Sequence, residues 1–289
     1  MKSSSVHEYA GALADAAHQA VVKEVMTTPK PGLVDAEGCG CHEDMDCRLF
    51  MKSAGAIAPF WKEQASAGLG LIPPEDALPV LKKNGVDAER AMFASTGGIN
   101  THKGLIYLMS LLLYGAGFVK ASGGGGAESA AAAAAAAVRG SVAAELASLA
   151  GSLPARALSN GERLFLEHGV TGIRGEAEAA FPSVTRCGLP VLRHALAAGA
   201  SENDAGLAAL LSIMLVCSDS NVIHRAGFDY WKNIYPSAVA EAQRRFDPLH
   251  PDYTPLYELE TSFLPLRVSP GGAADLLSCT YFLYLFEKI

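Results

Sequence analysis

Between Leu105 and Val119 almost every residue is apolar, and no charge follows until Lys120. A helix that is apolar on all sides belongs inside a protein or inside a membrane. This run is shorter than the roughly 20 residues that a bilayer-spanning helix needs. It therefore predicts a buried core helix over about residues 104–119, around which the rest of the chain must pack. Just ahead of it stand Gly97, Gly98, Asn100, Thr101, His102 and Lys103. Asn100 or Thr101 would make a good N-cap. A helix start that follows two glycines and carries His and Lys in its first turn is a ready anion site. It would hold a phosphate near the middle of the molecule. The same residues also read as a plain Gly-Gly turn leading into an ordinary capped helix.

Helical periodicity recurs on both sides of this run, and period-two alternation rich in Val, Ile and Thr is nearly absent. Val6–Met26 places Ala10, Leu13, Ala17, Val21 and Val25 on one side and stops at Thr27-Thr-Pro-Lys-Pro-Gly32, where two prolines forbid continuation. Further helices are predicted over Cys47–Ala67, from Pro73-Pro74 onward, and over Arg156–His168, Val184–Ala198, Asn203–Cys217, Asp229–Phe246, Tyr253–Leu264 and Ala273–Phe286. The tract Ala130–Ala137 has the best helix propensity of any residue type, but little hydrophobic bulk, and reads as a peripheral insert. No internal repeat or linker divides the chain. The expectation is an all-α fold: one domain over 1–289, a multi-helix bundle around the buried central helix.

Half of the residues are apolar, 18% are charged and the net charge is −7, which argues against a general nucleic-acid or membrane-surface role. A local basic pocket remains open. Met1–Val6 is polar and shows no signal-peptide core, so a cytoplasmic setting with reduced thiols is expected. Cys39, Cys41 and Cys47 cluster beside His42 and could be read as a zinc site, although paired Cys-x-x-Cys spacing is missing. Cys187, Cys217 and Cys279 lie in apolar settings.

The few charged residues gather at helix junctions instead of spreading over exposed faces. Lys30, His102, Lys103, Arg174 and Arg225 would supply positive charge and donors for several phosphates. Asp44, Asp46, Glu176 and Asp219 would supply oxygen ligands for magnesium. Each has a plainer use. Asp44 or Asp46 would cap the next helix, Arg174 and Glu176 would pair with each other, Asn221 would cap a helix, and His42 would be structural. No Walker A motif, Rossmann fingerprint or Ser-His-Asp arrangement is present.

Three stretches carry a family likeness: Thr28-Pro-Lys-Pro-Gly-Leu-Val-Asp35, Gly40-Cys-His-Glu-Asp-Met-Asp46 and Glu89-Arg-Ala-Met-Phe-Ala-Ser-Thr-Gly-Gly-Ile-Asn-Thr-His-Lys-Gly104. With Gly172-Ile-Arg-Gly-Glu-Ala177, Asp219-Ser-Asn221 plus Arg225, and Ser269-Pro-Gly-Gly-Ala-Ala-Asp-Leu-Leu277, the chain resembles the triphosphoribosyl-dephospho-CoA synthases from about Glu24 to Leu285. The resemblance implies an all-helical cytoplasmic enzyme that joins ATP to 3′-dephospho-CoA and releases adenine. Its product would be the prosthetic-group precursor of citrate lyase or malonate decarboxylase, passed on to a holo-acyl-carrier-protein transferase. It also implies magnesium, an ATP site drawn from Lys30, Gly97, Gly98, Asn100, Thr101, Lys103, Arg174, Asn221 and Arg225, and chemistry at His102, Asp35 and Lys103. His102 and Asp35 are the alternatives for the base. A metal-dependent nucleotide phosphohydrolase, another nucleotide glycosyl transferase of the same fold and a non-catalytic nucleotide-binding protein are the competing readings. A homo-oligomer is compatible with all of them.

Overall fold

The computed structural model describes residues 3–144 and 160–289. Among these every regular element is a helix and none is a strand, as the periodicity requires. Helix α1 (Ser3–Met26) ends at the Pro29/Pro31 loop; α2 (Cys47–Ile57), a single 3-10 turn and α3 (Trp61–Leu69) follow. Asp46 opens α2 by accepting the Leu49 amide at 2.7 Å, a side-chain N-cap. Helix α4 runs unbroken over Pro74–Thr96 and stops at Gly97 and Gly98, whose φ angles of +69° and +93° continue no right-handed helix. The expected central helix is α5, Lys103–Ala121.

Helix α5 is by length and composition the one described helix apolar enough to cross a membrane. Its sides are instead covered by α1, α3, α4, α6 (Ala127–Ala136) and the C-terminal helix Gly271–Phe286. Leu108, Met109, Leu112, Leu113 and Tyr114 are completely buried, and this burial is what makes an all-apolar helix stable in water.

The alanine tract is the main correction to the expected fold. Helix α6 (Ala127–Ala136) is not peripheral: Ala127, Ala130, Ala131 and Ala134 are all 0% exposed against α5. Gly115 explains why bulk was not needed. A methyl group at Gly115 would stand 2.1 Å from the Ala130 carbonyl oxygen, so the two helices touch backbone to backbone. Small residues here are a packing device, gaining dispersion contacts through close approach.

In the second half, Asn160–His168 and Gly172–Glu178 are helices. Residues 156–159, the start of the helix expected up to His168, lie outside the described residues. A π-helical turn (Ser183–Gly188) leads into the helix Leu189–Ala198, and Glu202–Val216 packs against both. The predicted helix over Asp229–Phe246 is two, Phe228–Asn233 and Tyr235–Arg245. Ser220–Ala226, Thr254–Phe263 and Gly271–Phe286 complete the set. One hydrophobic cluster runs from Ala10 on α1 to Phe286.

Candidate active site

The head of α5 opens into a cavity of about 920 Å³. Its walls come from the end of α1, the start of α5, the helices Gly172–Glu178 and Ser220–Ala226, and the first turns of the C-terminal helix. Of the residues predicted to bind phosphate, Asn100, Thr101, Lys103, Arg174, Asn221 and Arg225 line it, as does His102. The three cations predicted to bind phosphate come from separate elements, and Lys82 of α4 lines the wall as well. Lys103 keeps its side chain 54% exposed and lies 3.4 Å from Glu89. Arg225 donates to the Arg267 carbonyl at 3.0 Å and approaches His42 Nδ1 at 3.5 Å. His42 Nε2 in turn pairs with Ser269 Oγ at 2.8 Å. Burial, then the Arg225 charge, lowers the His42 pKa, so this ring is neutral at the cavity wall.

Asn100 accepts the Lys103 amide at 3.1 Å, but the N-cap position of α5 is His102, not Asn100 or Thr101 as expected. His102 is 2% exposed, and an edge-on contact with Phe50 fixes its ring. Thr101 Oγ1 donates to Ser53 Oγ at 2.7 Å, and Ser53 Oγ lies 2.8 Å from His102 Nδ1. Ser53 thus links Thr101 to the ring at Nδ1. Burial, with help from the Lys30 charge, drops the His102 pKa to about 3, so the ring is neutral. His102 Nε2 is covered and has no partner among the described residues. A neutral ring this deeply buried does not suit the role of base.

Several other predicted residues are placed elsewhere. Lys30, 2% exposed, forms an ion pair with Glu24 and donates to the Glu24 carbonyl at 2.7 Å. Asp35 accepts three backbone amides, from Lys30 at 2.7 Å, Glu37 at 2.8 Å and Gly38 at 3.0 Å, and so shapes its loop. Gly97 and Gly98 close α4 and lie outside the cavity wall. Asp46 is the α2 cap already described, and Asp44 is exposed, 3.9 Å from His42 Nδ1. Glu176 holds the Ser183 amide at 2.6 Å and its hydroxyl at 3.0 Å. Asp219, 1% exposed, accepts from Asn221 and Val222 at 2.9 and 3.3 Å and from Ala273 at 3.0 Å, tying together the starts of two helices.

The four carboxylates assigned to magnesium are therefore not gathered around one point. Among the described residues no group of three or more His, Cys, Asp or Glu side chains could hold a metal ion, and this includes Cys39, Cys41 and Cys47. Those residues do not fit a metal held by the protein.

Reading the sequence missed Ser53, which holds His102 at Nδ1, and Asp275 at the cavity wall. Ser53 carries no sequence signal. Asp275 does, as the lone charge within the apolar run Ala273–Phe286.

An all-helical protein with Lys103, Arg174 and Arg225 around one cavity at the head of its core helix is of a class suited to a polyanionic ligand. Residues 10–289 match the family described as ATP:dephospho-CoA triphosphoribosyl transferase. The chain belongs to that family of transferases, as its motifs led us to expect. It is 38% identical over 269 residues to the 2-(5″-triphosphoribosyl)-3′-dephosphocoenzyme-A synthase of Pectobacterium atrosepticum, covering 92% of this chain and 86% of that one. A relative in Azotobacter vinelandii, named as a probable synthase of the same kind, is 38% identical over 278 residues, covering 96% and 91%. The fold is shared with a crystal structure from Archaeoglobus fulgidus assigned by name to the triphosphoribosyl-dephospho-CoA synthases. That likeness has a TM-score of 0.50 at 19% identity and covers 81% of this chain and 97% of that one.

Proposed function

We propose that this protein transfers the triphosphoribosyl group of ATP to the 2′-hydroxyl of 3′-dephospho-CoA, releasing adenine and forming 2′-(5″-triphosphoribosyl)-3′-dephospho-CoA. The observation that carries this reading is the cavity at the head of α5, with Lys103, Arg174 and Arg225 on separate walls. At about 920 Å³ it lies near the upper end of the roughly 300–1,000 Å³ typical of small-molecule sites, in keeping with two nucleotide substrates.

Displacement at an anomeric carbon passes through a transition state with oxocarbenium character. The residues needed are a clamp for the triphosphate, a donor network that keeps the head of the helix rigid, and an acceptor for the incoming hydroxyl proton. Lys103, Arg174 and Arg225 form the clamp, and Asn100 with the Thr101–Ser53–His102 chain holds the helix start in place. Magnesium enters with the triphosphate as part of the substrate. The product would serve the acyl carrier protein of citrate lyase or malonate decarboxylase through a holo-acyl-carrier-protein transferase, in the cytoplasm.

The test is chemical. Incubated with ATP, magnesium and 3′-dephospho-CoA, the purified protein should release adenine in step with loss of dephospho-CoA, and the product should gain the mass of a triphosphoribosyl group. Inorganic phosphate without adenine would replace this reading with a phosphohydrolase.

A further inference from the structure

Four carboxylate residues line the cavity: Glu24, Glu89, Glu162 and Asp275. Three are engaged. Glu24 holds Lys30, Glu89 faces Lys103 at 3.4 Å, and Glu162 is buried with an interaction of its own. Asp275 has neither a hydrogen bond nor an ion pair to any described residue, yet it is only partly exposed. Its Oδ2 rests against the backbone of Gly104, and a Cβ on that residue would stand 2.2 Å from the oxygen. Glycine at this position, directly after His102 and Lys103, is what lets a carboxylate sit against the first turn of α5.

We propose that Asp275 is the general base of the transfer, taking the proton of the attacking 2′-hydroxyl; this rests on the reaction set out above. As the bond from that oxygen to the anomeric carbon of ATP forms, the hydroxyl proton passes to Asp275. The bond to adenine N9 breaks and its electron pair leaves with adenine, which takes a proton from water. Asp275 returns its proton to water, so charge and atoms balance with no redox change. The two residues expected for this role do not suit it: Asp35 is held by three amides, and His102 is a buried neutral ring whose Nε2 is covered.

The environment tunes Asp275 for the task. Burial, then the charges of Glu24 and Asp219, push its carboxyl well above the ordinary carboxylate range, nearer the pH at which a base works best. The titratable groups that act on it are Glu24 at the end of α1 (itself paired with Lys30), Asp219 and, on its own helix, Cys279, while α5 presents the backbone of Gly104 to it. A base acts deprotonated, so turnover should rise with pH through the Asp275 pKa.

The experiment compares wild type with Asp275→Asn in the full chain. The variant should bind ATP normally by calorimetry while kcat for adenine release falls about 10²–10⁴-fold, the usual span for losing a general base. The acidic limb of the wild-type kcat–pH profile should be absent from the variant. A folded Asp275→Asn with kcat near wild type overturns the assignment. So does a wild-type kcat that falls as pH rises through that limb, which would make the group an acid. The wild-type profile needs no variant, so it decides the matter even if Asp275→Asn does not fold. A wild type that releases no adenine overturns the reaction itself, whereas an active wild type with an unimpaired variant overturns only the base.

Discussion

Lys30 and Lys103 both belong to sequence motifs that point to phosphate binding, and the fold treats them differently. Lys30 is 2% exposed, in an ion pair with Glu24 inside a loop whose Asp35 is saturated by backbone amides. Lys103 stands at the cavity wall with its side chain 54% exposed. A buried charge without a partner costs several kcal/mol, so the loop could keep its lysine only by spending it on Glu24. The cavity wall is open enough for Lys103 and Arg225 to keep their charge for a ligand. The same contrast separates the carboxylates. Asp35, Asp46, Glu176 and Asp219 are taken up by the protein's own donors, while Asp275 has none. Polar residues buried on one another build the frame, and those that stay accessible at the cavity wall mark the candidate site.

The largest expected effect breaks the first half of this contrast. Lys30→Met leaves Glu24 buried and unpaired and should cost about 3–5 kcal/mol of stability, read from urea unfolding. If the variant unfolds like wild type but loses ATP affinity, Lys30 belongs to the clamp and the distinction fails. A smaller effect sharpens the second half. Lys103→Ala removes a charge-assisted contact worth about 1.5–3 kcal/mol, so calorimetry should show ATP affinity falling roughly 10- to 100-fold. Its unfolding midpoint should stay within about 0.5 kcal/mol of wild type, because Lys103 is exposed. An unchanged ATP affinity would remove Lys103 from the site.

Much of the fold is legible in the sequence because a few patterns allow only one outcome. A run that is apolar on all sides has to be covered, here as a core helix, and Pro29, Pro31, Gly97 and Gly98 have to end the helices that precede them. The role of the alanine tract is not legible. Ala130 is a core residue only because Gly115 lies opposite it, and nothing local to either residue says that they meet. The site is legible in part. The cluster Asn100–Lys103 at a helix start points to the cavity, and Arg174, Asn221 and Arg225 line the same cavity. The metal set fails because a sequence shows how many carboxylates there are but not which backbone amides claim them. Asp219 illustrates this: it accepts from Ala273, 54 residues further along the chain. Asp275 could have been picked out as a single acid in an apolar helix, but only the fold shows Gly104 making room for it.

The most direct test of the central claim, that ATP sits at the head of α5 and not in the loop after α1, is backbone amide exchange with and without ATP. Protection should rise over residues 100–104, 172–174 and 220–225, the segments that carry Lys103, Arg174 and Arg225. Residues 35–38 should exchange as before, since their amides at 35, 37 and 38 are engaged within the loop already. New protection over 35–38, with none at 100–104, would contradict the account.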